Sequence, residues 1–77
     1  MNTYSPHETE LLIAFGLRLK SQRLKKKLSQ EELAAITGLH RTYIGSAERG
    51  ERNISMLNLY KISSSLEISI EALLLDN

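Results

Sequence analysis

The chain has no cysteine, which excludes disulfides and thiolate metal sites and is compatible with a reducing interior. It also lacks long apolar runs. The longest, around Leu11 to Phe15 and Leu73 to Leu75, fall far short of the ~20 residues that cross a bilayer. No signal-peptide pattern precedes them, since the N-terminal segment is polar and carries Glu8 and Glu10, so a cytoplasmic location without membrane contact is expected. Period-two alternation bounded by turn residues is missing too, and strands are not expected. The ingredients of catalysis are equally scarce. His7 and His40 lie far apart with no Cys or Asp nearby, no metal-ligand spacing occurs, and there is no Gly-rich phosphate loop. Tyr43 and Ser46 do not make a convincing nucleophile pair, because Tyr43 falls at a helical angle where packing is its ordinary role. No enzyme activity, catalytic residue, cofactor or metal is therefore expected.

What is present fits one small domain spanning residues 1–77. A core of that size is marginal alone, so pairing with a second copy has a physical motive from the start. The formal charge of +1 hides a lopsided distribution. Between Arg18 and Asn53, nine basic residues face four acidic ones, a net of +5, while the remainder carries one lysine against five carboxylates, a net of −4. A basic region on an otherwise acidic molecule suits a polyanionic partner.

Apolar residues recur at three and four positions throughout, the period of an all-α chain. Five helices fit. Ser5-Pro6-His7-Glu8 opens the first, with Ser5 as cap, Pro6 at the first position and Glu8 returning a bond, and it should run to about Lys26. A second capping box, Ser29-Gln30-Glu31-Glu32, opens a short helix to about Thr37, with Gly38 suited to the left-handed stop. A third helix follows after Leu39 and His40, from about Arg41 to Glu48 or Arg49, and Gly50 closes it. Ser55 caps a fourth, Met56 to Ser65, and Ser69 a fifth, Ile70 to Leu75. Two short helices joined this tightly cross steeply, as in a helix-turn-helix, here over about residues 30–49.

At ~100° per residue, Arg41, Thr42, Gly45, Ser46 and Arg49 share one side of the third helix, and Tyr43, Ile44, Ala47 and Glu48 the other. The first side is polar and small, and Arg, Thr and Ser are residue types that read base edges. Arg41, Thr42 and Ser46 are therefore the candidate base readers. Gln30, Tyr43, Arg49, Arg52 and Asn53 are the candidate phosphate contacts, with Gln30 alternatively bracing the third helix. Gly45, which costs roughly 1 kcal/mol relative to Ala in mid-helix, either lets the backbone approach the groove or is a neutral substitution. Arg23 shares the apolar stripe of Leu12, Phe15 and Leu19, so it needs a carboxylate, and Glu48 is the expected partner in a structural ion pair. At the C-terminal end, Ile70, Leu73, Leu74 and Leu75 offer more apolar surface than one short helix can bury. Leu57, Ile70 and Leu74 are the expected contacts of a two-fold interface through the fourth and fifth helices.

The stretch Leu28-Ser29-Gln30-Glu31-Glu32-Leu33-Ala34, followed by Gly38-Leu39, Ile44 and Glu48-Arg49-Gly50, resembles the phage-repressor-like (Xre or Cro/C1 type) helix-turn-helix family. Within it, His40-Arg41-Thr42-Tyr43-Ile44 and Glu48-Arg49-Gly50-Glu51-Arg52-Asn53 are most similar to the controller proteins of bacterial restriction-modification systems. The resemblance covers about residues 9–75. It implies a compact five-helix lambda-repressor-like fold and a homodimer on a near-palindromic double-stranded DNA operator upstream of its own gene, with RNA polymerase a further partner where it activates. It also implies Arg41 and Thr42 as base readers and Gln30, Arg52 and Asn53 as backbone contacts. Five positions depart from the family: Lys27 and Glu67 stand where Gly is usual, Ile54 where Pro is, Gly45 where controllers often carry Ser, and Ile36 where a polar residue is commoner. An antitoxin or phage-type repressor shares the fold, and an interaction module that leaves the third helix idle is the alternative from another class.

Overall fold

The computed structural model describes residues 3–75. Its helices are α1 (Pro6–Lys25), α2 (Gln30–Thr37), α3 (Arg41–Glu48), α4 (Met56–Ser65) and α5 (Glu71–Leu74), and no strand occurs among the described residues. Local chemistry sets most boundaries. Ser5 Oγ accepts from the Glu8 amide at 3.1 Å and the Glu8 carboxylate accepts from the Ser5 amide at 2.8 Å. The same reciprocal box joins Ser29 and Glu32 at 3.0 and 2.8 Å. Ser55 Oγ caps α4 through the Asn58 amide at 3.2 Å. Each such cap satisfies an orphan donor and is worth about 1 kcal/mol. At the other end of α2, Gly38 takes φ +75°, and its amide and that of Leu39 both return to the Ala34 carbonyl. That stop leaves only Leu39 and His40 to turn the chain into α3.

The fifth helix is shorter than expected. It begins at Glu71 rather than Ile70, with Ile70 in the cap position, although Ser69 Oγ still accepts from the Ala72 amide at 3.3 Å. A single turn cannot present a long face, so Leu73 alone is fully buried while Leu74 and Leu75 stay about half exposed.

Phe15, Leu19, Leu33, Ala34, Ile44, Ala47, Ile62, Leu66 and Leu73 form one core. Every helix contributes, and burying each large side chain stabilises the fold by roughly 1.5–3 kcal/mol. Helix α1 runs against α3 and α5, and α2 against α3 and α4. The α1–α3 approach depends on Gly16: a Cβ there would lie 2.3 Å from the Glu48 carbonyl oxygen and 2.6 Å from that of Ala47. Two of the three loop departures from the family fall at strained positions. Lys27 and Glu67 both adopt left-handed backbone, φ +58° and +57°, where glycine carries no Cβ penalty.

Candidate nucleic-acid interface

Ile44 and Ala47 fix α3 by burying one side of it completely, and the sequence leaves the leading end polar. Arg41 and Thr42 are exposed in the first turn. The Arg41 guanidinium lies 3.7 Å from the Glu31 carboxylate on α2, both well exposed, a loose contact that leaves the head in water.

At the opposite, C-terminal end of α3, a buried ionic cluster locks the helix to α1. Arg23 donates from Nε to Glu48 Oε2 at 2.6 Å and from Nη2 to Oε1 at 3.0 Å. Its remaining nitrogen donates to the Leu28 carbonyl at 2.7 Å. The expected Arg23–Glu48 pairing is thus present as a two-point fork, and Glu48 holds the guanidinium pKa above its ordinary value. Such a fork fixes rotation as well as distance. Gln30 donates from Nε2 to Glu48 Oε1 at 3.1 Å, so it takes the bracing role at the α2–α3 crossing. A Cβ at the buried Gly45 would lie 3.3 Å from Arg49 Nη1 and 3.5 Å from Gln30 Oε1, close to ordinary contact with side chains of the protein itself. Gly45 therefore faces Arg49 and Gln30 and is not bare backbone open to a groove.

Ser46 also departs from the expectation. It is only 8% exposed, its hydroxyl donates to the Tyr43 carbonyl at 3.0 Å, and it accepts from Arg52 Nε at 2.9 Å. The chain after α3 folds back over this flank, with the Glu51 amide donating to the Ser46 carbonyl at 3.0 Å, and that closes the edge that helical angles alone leave open. Ser46 anchors Arg52 instead of facing a base. The Arg52 guanidinium stacks 4.7 Å from the centre of the Tyr43 ring, and the Tyr43 hydroxyl accepts from Asn58 Nδ2 on α4 at 3.0 Å. A cation held over a ring and by a hydroxyl loses little further freedom on meeting a phosphate. Arg49 is engaged differently, donating two bonds to Glu51 at 3.0 and 3.1 Å. The Arg49 guanidinium lowers the Glu51 pKa below the usual carboxylate range. Asn53 is exposed in the same loop.

The structure therefore gathers Arg41, Thr42, Tyr43, Arg49 and Arg52 around α3, with Gln30 half-buried behind them. Sequence reasoning missed Asn58, Glu51 and Gly16. Asn58 looks like an ordinary helix residue until the fold brings it beneath Tyr43, whereas Glu51, two residues after Arg49, was visible as a short-range pair. Among the described residues no three His, Cys, Asp or Glu gather as a metal site, and no helix is long and apolar enough to cross a membrane.

A short helix that is core on one side and carries exposed hydrogen-bond donors and cations at its leading end suits the recognition element of a DNA-binding transcription regulator. The chain belongs to the helix-turn-helix family, whose profile matches residues 19–73. It is 47% identical over 68 residues to the control protein C.MunI of a Mycoplasma species, covering 87% of this chain and 92% of that one. The crystal structure of the restriction-modification controller protein C.AhdI from Aeromonas hydrophila superposes with a TM-score of 0.79 at 47% identity, covering 80% of this chain and 94% of the other. The biofilm master regulator SinR, solved in complex with DNA, gives 0.75 at 38% identity, covering 78% and 97%.

Proposed function

We propose that this protein is a cytoplasmic controller of a restriction-modification system that binds, as a homodimer, a near-palindromic duplex operator at its own promoter. The observation that carries the reading is the exposed Arg41-Thr42 leading edge of α3 in a chain whose similarity to controller proteins spans most of its length. Arg41 donates two bonds to a guanine edge and Thr42 meets a thymine methyl. Arg52, Arg49, Asn53 and Tyr43 grip phosphates on either side, setting register without reading sequence, while Gln30 braces α3 from behind.

Dimerisation is supported by apolar surface on the far side of the molecule. Leu57 and Leu74 are 73% and 49% exposed, and Met56, Tyr60 and Leu75 extend the same character, with Ile70 half-buried. A two-fold axis through α4 and α5 sets the two α3 helices about 34 Å apart, one turn of duplex. RNA polymerase is the further partner in activation.

Fluorescence anisotropy on the DNA upstream of the gene tests this. Arg41→Ala should cost about 1–3 kcal/mol on the specific site and relax the preference for one base pair. Arg52→Ala should weaken all duplexes alike and lower the salt slope by about 1. Two chains should bind per operator; stoichiometric binding of one chain, or indifference to Arg41→Ala, contradicts the proposal.

A further inference from the structure

Helix α1 carries a second apolar stripe that the core does not use. Phe15 and Leu19 face inward, while Leu17 and Leu24, on the opposite side of the helix, are 62% and 53% exposed, and Ile13, 44% exposed, lies at the edge of the stripe against Gly50 at the end of α3. With the exposed Lys20, Ser21 and Lys25, Leu17 and Leu24 line a shallow groove. Counting from Glu10, the positions 10, 13, 17, 20 and 24 step alternately by three and four, the spacing of a helix-pairing seam. Ala14 and Ser21 beside it are small enough to allow close approach.

The charges on the seam select both the occupant and its direction. Parallel pairing with a second copy would set Glu10 against the partner's Glu10 and Lys20 against the partner's Lys20, two like-charge contacts. Antiparallel pairing sets Ile13 against the partner's Leu24, Leu17 against the partner's Lys20, and Glu10 against the partner's lysine-rich helix end at 25–27. Each lysine stem then lies along a leucine with its ammonium in water, and the carboxylate at each end meets opposite charge. The stripe is thus complementary to itself when reversed, as a two-fold contact requires.

We propose that the outer face of α1 is a second self-association surface, on which two copies pair antiparallel through Ile13, Leu17 and Leu24. It is distinct from the α4–α5 interface and, with three exposed apolar side chains against five there, acts as a weak contact between copies already concentrated together.

The absence of native cysteine makes cross-linking a clean test. Ile13→Cys and Leu24→Cys chains are prepared separately, shown by circular dichroism to be folded, and oxidised alone and mixed. Antiparallel pairing predicts a disulfide between the two different chains, several-fold in excess over either homodisulfide. The like positions of the two copies sit about 16 Å apart along the helix, beyond the ~7 Å Cα separation a disulfide tolerates. Predominant homodisulfides, or no mixed product across a concentration series, overturn the proposal. The mixed disulfide should persist with Leu57→Glu added to both chains, so failure of the α4–α5 dimer and failure of this contact are read apart. In sedimentation, Leu17→Glu should lower the weight-average mass at high concentration and leave single-site DNA affinity unchanged; an unaltered mass overturns the assignment.

Discussion

Replacing Glu48 with alanine removes both carboxylate oxygens from Arg23 and the acceptor from Gln30, leaving the guanidinium only the Leu28 carbonyl. Arg23 is 6% exposed and cannot turn to water without opening α1 from α3. Stripping one partner from a buried ion pair costs about 3–5 kcal/mol. A 77-residue domain has roughly 4–12 kcal/mol in all at ~0.05–0.15 per residue, so Glu48→Ala should remove a large share of the stability. With a urea slope of about 1–2 kcal/mol per molar, the midpoint should fall by at least ~1.5 M. The pair's net worth is a separate quantity. Replacing both residues together, Arg23→Met with Glu48→Leu, removes the stranded charge and should recover stability to within about 1 kcal/mol of the parent. Equilibrium urea unfolding of the three proteins decides it. A Glu48→Ala midpoint close to the parent's, or a double variant less stable than the single, would refute the reasoning that the cost lies in an uncompensated buried cation.

Gly16→Ala should destabilise by about 1–3 kcal/mol in the same assay, because a Cβ there meets two α3 carbonyls that cannot move apart without tilting the helix; unchanged stability would mean the α1–α3 distance is not set there. Lys27→Gly should stabilise by about 1 kcal/mol through relief of the left-handed strain, measured as a rise in urea midpoint. The Glu51 carboxyl, held below its ordinary range by Arg49, contributes stability that is present above the unfolded pKa and lost as pH falls through the lower folded one. In a carbon-detected NMR titration it should protonate below the usual carboxylate range in the parent and return to that range in Arg49→Ala.

Most of the architecture was legible because local rules carry it. Two capping boxes, a glycine stop at Gly38 and apolar spacing placed four of the five helices within a residue or so, and Arg23 declared its need for a carboxylate by sitting in a row of core residues. What escaped depends on how the chain after α3 returns. Ser46 falls on the polar flank by helical angle, but the return of residues 51–52 across that flank turns it into the anchor of Arg52. Gly45 reads as a site of external approach when the Arg49 and Gln30 side chains that lie over it are assigned to solvent or phosphate. The fifth helix was legible as well, one residue shorter at each end than Ile70 to Leu75, a margin within which helix ends fray.

On the proposed function, the leading end of α3 and the arginines around it form the surface that touches DNA. A titration of the isotope-labelled protein with its operator duplex, followed by amide and guanidinium NMR shifts, tests it in one measurement. The largest perturbations should fall on Arg41, Thr42, Arg49 and Arg52. Perturbations concentrated on α4, α5 or the outer face of α1, with those four resonances unmoved at saturation, would contradict it.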